Sequence, residues 1–80
     1  MTPEEYVKTH KEAFRCAFDF LNSHFPPGDG LEWWDQVAKD ASAMSEAHDN
    51  NKLTIELIAG VMYYIEFEWK LRRKDYETEN

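Results

Sequence analysis

The chain has 80 residues, of which 42% are hydrophobic and 15% aromatic, and its formal net charge is −7. Eighty residues form one small domain, and this apolar fraction is too high for a disordered protein of the same charge. The acidic balance argues against direct binding of nucleic acid, which requires a basic stripe, and against docking on an anionic membrane surface.

Cysteine usage and the absence of long apolar runs indicate the compartment. A single cysteine, Cys16, cannot form an internal disulfide or a thiolate metal cluster. The first ten residues lack the apolar core of a signal peptide, and no run approaches the length of a membrane span. We therefore expect a cytoplasmic protein with a single helical domain over residues 1–80.

The first predicted helix covers about residues 3–24. Thr2 can cap its start, Pro3 suits the first helical position, and Glu5 stands where a capping box requires an acidic residue. The helix should end before Phe25, because the residue that precedes a proline is disfavoured in helical geometry. Its apolar arc predicts buried positions at Tyr6, Val7, Ala13, Phe14, Ala17, Phe18, Phe20 and Leu21.

Two further helices follow, over about residues 31–48 and 52–74. Asp29 or Gly30 is the expected cap of the second, an asparagine can cap the third, and the polar residues 75–80 should form a frayed tail. No strand pattern competes. Short connections between amphipathic helices predict an all-α, up-down-up three-helix bundle, in which the parallel first and third helices both contact the second.

The most unusual residues should meet at one end of this bundle, where three tryptophans accompany charged groups. They form a candidate interaction site, because tryptophan and arginine dominate binding hot spots. Alternatively, the tryptophans only close the core, and a glutamate pairs with the arginine one turn later. The candidate residues are His24, Trp33, Trp34, Phe67, Glu68, Trp69 and Arg72.

Histidines and the cysteine give weaker signals. His10 and His48 lie on apolar arcs near the opposite end, where they could hold a metal or respond to pH, although core histidines are far commoner. No third ligand stands at a diagnostic spacing, so we expect no metal and no cofactor. Cys16 has no neighbouring histidine to activate it and is expected to pack at the core boundary.

Carboxylates on the second helix suggest a different function. A row of them could imitate the phosphates of a nucleic acid and occupy the groove of a DNA-binding protein, although a solvated face is the commoner explanation. The residues are Glu32, Asp35, Asp40, Glu46 and Asp49.

The sequence does not indicate an enzyme, because it contains no phosphate-binding loop and no catalytic triad within a supporting motif. The sequence favours a non-catalytic protein-interaction or structural module that binds a protein partner or itself, for instance as a homodimer. The alternatives are the acidic nucleic-acid mimic and a ligand- or metal-responsive module using His10 and His48.

Overall fold

The computed structural model describes the backbone of residues 1–79 and the side chains of residues 1–73. Three helices make up the fold: α1 (Pro3–Ser23), α2 (Leu31–Ala47) and α3 (Lys52–Glu79). They form an up-down-up bundle in which α1 packs mostly against α3. The predicted all-α three-helix bundle is confirmed, and no strand occurs within residues 1–79.

The helix starts follow from short-range hydrogen bonds. The Thr2 side chain accepts a hydrogen bond from the Glu5 amide at 3.2 Å, and Pro3 begins α1. Asn51 caps α3 by accepting from the Thr54 amide at 3.2 Å. Both caps agree with the prediction. At the start of α2, Gly30 occupies the cap position with no side-chain hydrogen bond.

The third helix is longer than predicted. It continues to Glu79 and has 28 residues, whereas the sequence pattern placed its end near Lys74. The expected frayed tail, residues 75–80, lies outside the described side chains and includes Asn80, which lies outside the described backbone. A helix of 28 residues is about 42 Å long, which accounts for much of the 57 Å extent of the molecule.

The turn between α2 and α3 has left-handed backbone geometry at two consecutive residues. Asp49 has a φ of 56° and Asn50 a φ of 52°, in the region that asparagine and aspartate tolerate better than other non-glycine residues. The Asn50 amide donates to the Ser45 carbonyl at 2.8 Å, which satisfies a carbonyl at the end of α2. This turn reverses the chain so that α3 runs antiparallel to α2.

The core combines small side chains on α1 with larger ones on the other helices. Ala13, Cys16 and Ala17 of α1 are buried, and small side chains let two helices approach closely. Phe20 and Ile65 are fully buried at the centre. Val37 and Ala41 of α2 and Thr54 and Ile58 of α3 are also buried and complete the core.

The apolar arcs predicted for burial are only partly buried. Phe14 and Phe18 of α1 are 59% and 63% exposed, and Leu31 at the start of α2 is 89% exposed. Helical periodicity predicted that one wide apolar arc of each helix would be buried, whereas the close contact between α1 and α3 buries only a narrow part of that arc. As a result, α1 and α3 both present large apolar side chains to solvent.

The connection between α1 and α2 extends the bundle beyond the end of α1. Residues 24–30 pass beside α2 and α3, with Phe25 stacked on Tyr64 of α3 at a centroid distance of 5.9 Å. Gly28 lies against the Trp33 ring so closely that a Cβ at this position would stand 2.6 Å from Trp33 Cγ. Glycine is therefore required here by space.

Within the described residues, none of the helices has both the length and the apolar content needed to cross a lipid bilayer.

Gly28→Ala should lower the free energy of unfolding by about 1–3 kcal/mol, because the added methyl group displaces a rigid indole. Gly30→Ser in the same connection is the matched control. Gly30 has only ordinary contacts and an uncapped α2 beside it, so serine should add a few tenths of a kcal/mol. Urea denaturation of the two variants measures both changes, and equal effects would contradict the Gly28–Trp33 contact.

Candidate functional site

The structure brings the three tryptophans together at one end of the bundle. Trp33 and Trp34 meet edge to face with centroids 4.7 Å apart, and Trp34 meets Trp69 of α3 in the same manner at 5.7 Å. Such pairs add about 0.5–1.5 kcal/mol beyond their burial. All three indoles are only half-buried, so they close the core and contribute to the surface at the same time.

Asp29 fixes the position of the Trp69 ring. The indole Nε1–H of Trp69 donates to Asp29 Oδ1 at 2.8 Å, which ties the α1–α2 connection to α3. The sequence predicted Asp29 only as a possible cap for α2. Its contact with Trp69, 40 positions away, could not be predicted from neighbouring residues. The bond supplies the partner that an indole N–H requires near a core.

Arginines at the end of α3 lie over aromatic rings. The guanidinium carbon of Arg72 is 5.1 Å from the Phe25 ring centroid, and that of Arg73 is 5.0 Å from the Trp69 ring. Contacts at exposed sites of this kind stabilise by about 0.5–1 kcal/mol. Arg73 was not among the predicted site residues, although its i+4 spacing from Trp69 on a helix was a readable signal.

Within residues 1–73, no ring contact or hydrogen bond joins the remaining predicted site residues to the tryptophans. Phe67 is 58% exposed and His24 turns towards α2. Glu68 is half-buried, and among the side chains of residues 1–73 no ion pair joins it to Arg72. The expected Glu68–Arg72 pair is therefore wrong, because the Arg72 guanidinium lies over Phe25.

An open groove begins beside the tryptophans and runs between α2 and α3. Its upper part has a volume of about 470 Å³, and its lower part, towards the α2–α3 turn, about 340 Å³. Ala59 and Met62 line both parts, so the groove is continuous. We call this surface the α2–α3 groove. Its upper lining consists of Trp34, Ala59, Met62, Tyr63, Glu66 and Trp69.

His24 links α1 to α2 through two hydrogen bonds. Its Nδ1 lies 2.7 Å from the Phe20 carbonyl oxygen, and its Nε2 lies 2.8 Å from Asp40 Oδ2. Gln36 donates to the other carboxylate oxygen of Asp40 at 2.8 Å. The hydrogen bonds from His24 and then from Gln36 lower the pKa of the Asp40 carboxyl from its ordinary value, against a small opposing effect of burial.

The predicted acidic face of α2 does not form a single row. Asp40 is directed towards α1, and Asp35 pairs with Lys39 at 3.1 Å on the exposed side. Asp49 lies in the turn after the helix. Glu32, Asp35 and Glu46 are the exposed members that α2 itself presents.

The histidines and the cysteine occupy unrelated environments. His10 is exposed, with its ring centroid 6.2 Å from that of Tyr6, while half-buried His48 lines a cavity with Thr9 and Thr54. Cys16 is buried in the core, deeper than predicted, and burial followed by the charge of Asp19 raises the pKa of its thiol. Within residues 1–73, no three His, Cys, Asp or Glu side chains are grouped so that they could hold a metal ion.

Comparison with protein-family models found no match, and neither the search of curated proteins nor that of solved structures found a significant one.

Asp29→Ala and Trp69→Phe should each destabilise the fold, and their effects should not add. Because both remove the same hydrogen bond, the double variant should be more stable than additivity predicts by about 0.5–1.5 kcal/mol. Urea denaturation of the four proteins in this cycle gives the coupling energy. Strict additivity would show that the bond does not hold the connection on α3.

Acid should weaken the His24–Asp40 contact in a predictable range. Folding lowers the pKa of the Asp40 carboxyl, so its ionised form stabilises the native state at pH values above the ordinary pKa, which is near 4. This contribution is lost as the pH falls below that value and through the lowered pKa of the native state. The stability difference between wild type and Asp40→Asn should therefore shrink below about pH 4.

Urea denaturation between about pH 5 and pH 2 measures this difference. Gln36→Leu is the companion variant: it leaves Asp40 one donor fewer and its pKa less lowered, so the loss should be smaller and should be complete at a higher pH than in wild type. An Asp40→Asn difference that stays constant down to the lowest pH would contradict the role given to this carboxyl.

Proposed function

We propose that the protein is a non-catalytic interaction module that associates with a second copy of itself. The observation that carries this proposal is a set of large apolar side chains left exposed on α1 and α3. We call this surface the α1–α3 face. It consists of Val7, Phe14, Phe18, Tyr64, Phe67 and Leu71, which are 41–63% exposed.

Helical phase puts these side chains on the side of the α1–α3 pair that faces away from α2. On α1, Ser23 faces α2. Phe14 is nine residues before Ser23 and Phe18 five residues before it, which places them about 180° and 140° around the helix from Ser23. On α3, Phe67 and Leu71 follow Met62, which also faces α2, by five and nine residues. Both helices therefore expose apolar side chains in the same direction.

The exposed area is large for a monomer. A buried aromatic side chain contributes about 150–250 Å², and the four rings of the face are about half exposed, so the patch covers several hundred Å². Patches of about 300–600 Å² are the largest on typical monomers, and a stable dimer buries about 800 Å² per partner. With its rim included, the α1–α3 face approaches the size that a dimer requires.

A second copy suits the face because its two halves are staggered. Phe14 and Phe18 lie in the second half of α1, while Phe67 and Leu71 lie on α3 beyond the level where α1 ends. An antiparallel two-fold axis brings the α1 half of one protomer onto the α3 half of the other, and symmetry repeats the contact. The result resembles the two-layer packing of a helix bundle.

Charges on the rim support the same pairing. Lys11 and Arg15 flank the α1 half, at three residues from Phe14 and Phe18. Glu68 lies within one turn of Tyr64 and Leu71 on α3 and forms no ion pair with another side chain of residues 1–73. A partner's lysine or arginine would provide Glu68 with an opposite charge.

The acidic nucleic-acid mimic has less support. Asp40 is directed towards α1 and engaged with His24, and Asp49 lies in the turn after α2, so a continuous row of phosphate-like charges is not available on α2.

Phe18→Glu should raise the dissociation constant of the dimer at least tenfold, about 1.4 kcal/mol, because it places a carboxylate in an apolar contact near the partner's acidic Glu68. Light scattering coupled to size exclusion should give twice the 9.5 kDa mass for wild type and a value near 9.5 kDa for the variant.

Ile55→Glu is the matched control, since Ile55 is also a large apolar side chain and 41% exposed but lines the lower part of the α2–α3 groove. It should leave the mass at that of a dimer, and circular dichroism should show that both variants keep their helix content. A wild-type protein that stays monomeric at high micromolar concentration, or a control that dissociates as readily as Phe18→Glu, would overturn the proposal.

A further inference from the structure

The α2–α3 groove exists because small side chains face each other across it. Ala41, Ser42 and Ser45 of α2 stand opposite Ala59 of α3 in the lower part, so the two helices leave space between them on their outer side. Beneath this space the two helices meet in the core, and on the outer side they meet again at the upper end, through Trp34 and Trp69. The groove is thus a consequence of residue size along both helices.

The floor of the groove is apolar and adaptable. Met62 lies where the two parts join, and an unbranched methionine adjusts its shape to different partners. Tyr63 is 74% exposed and Ile55 41% exposed, so neither finds a partner within the bundle. Tryptophan and tyrosine are the residues that most often dominate binding energy at interfaces.

Carboxylates line the inner rim of the groove. Glu46 of α2 borders the lower part and Glu66 of α3 the upper part. Exposed Glu56 is on the same side of α3, one turn before Ala59 and two turns before Tyr63. Two lysines, Lys52 and Lys70, are on the same side of α3, one before Glu56 and one after Glu66. Lys70 forms an ion pair with Glu66 at 3.0 Å, which is weak because both side chains are exposed.

We propose that the α2–α3 groove binds a basic amphipathic helix of a partner protein. The apolar face of that helix enters the groove between Trp34 and Ile55, and its lysines or arginines reach the glutamates of the rim. From Ile55 to Trp69 the groove follows α3 for about 21 Å, the length of four helical turns. Helix-in-groove binding of this kind uses anchors at positions i, i+3, i+4 and i+7.

The charge of the chain selects this partner over a second copy. With a net charge of −7 and an acidic rim, the groove repels another acidic helix and attracts a basic one. The exposed face of α2 is mostly acidic, and the α1–α3 face, which carries Lys11 and Arg15, is the surface of the proposed self-association, so a basic helix of another protein is the occupant that fits.

A synthetic peptide of about 14 residues provides the probe. It carries leucine at positions i, i+3, i+4 and i+7 of each repeat and lysine elsewhere, and a peptide with glutamate in place of lysine is its control. The leucine–lysine peptide should bind one per chain with a dissociation constant on the order of 1–100 μM and shift the tryptophan fluorescence. The leucine–glutamate peptide should bind at least tenfold more weakly.

Two variants localise the binding without changing charge. Ala59→Trp fills the middle of the groove, and Tyr63→Ala removes an exposed anchor, so each should raise the dissociation constant at least tenfold. Glu66→Gln should lower the preference for the lysine peptide over the glutamate peptide. Phe18→Glu, on the α1–α3 face, should leave peptide binding unchanged whether or not the protein dimerises, which separates this inference from the proposed self-association.

Three results would overturn the inference. In the first, the leucine–lysine peptide does not bind. In the second, it binds Ala59→Trp and Tyr63→Ala as well as wild type, which would indicate attraction to acidic surface alone. In the third, Ala59→Trp converts a dimer to a monomer while Phe18→Glu does not, which would place a second copy in the groove.

Discussion

Close packing of the parallel helices α1 and α3 is the constraint on which the rest of the structure depends. The contact is made by alanines and a cysteine, Ala13, Cys16 and Ala17, with Phe20 filling the space that remains. Small side chains bring the two helices together but leave little room for the larger apolar residues on either flank. Since α2 covers only one flank, the large side chains of the other flank stay in solvent.

The second helix is held by the apolar stripe that it contributes to the core and by polar and aromatic contacts beside that stripe. His24 reaches Asp40 from the end of α1, and the Trp34–Trp69 contact together with the Asp29–Trp69 bond secures the upper end. Between these points, alanines and serines of α2 leave the α2–α3 groove open. The aromatic cluster therefore has a structural role, and the free surface lies beside it.

Local signals in the sequence were sufficient for the secondary structure and the fold class. Caps at Thr2 and Asn51 and the proline after Phe25 define helix limits within a few residues, because each acts over one turn. Helical periodicity could not separate a buried arc from an exposed one, because this depends on how closely α1 and α3 approach. Contacts such as His24–Asp40, 16 residues apart, depend on side-chain directions that spacing alone does not determine.

The two free surfaces differ in charge, and this difference assigns them different partners. A chain of net charge −7 repels its own copies, so self-association is most favourable where positive charges flank the apolar surface, as Lys11 and Arg15 do on the α1–α3 face. The glutamates of the α2–α3 groove have the opposite effect, since they raise the energy of any acidic segment that enters. Tyr63 of the groove and Phe67 of the α1–α3 face are one turn apart on α3, so the two surfaces share an edge, but Met62 and Leu71 lie about 180° apart, so their centres point in different directions. A dimer formed through the first would therefore present two grooves, and two binding sites on one particle increase the apparent affinity for a partner that carries repeated basic helices.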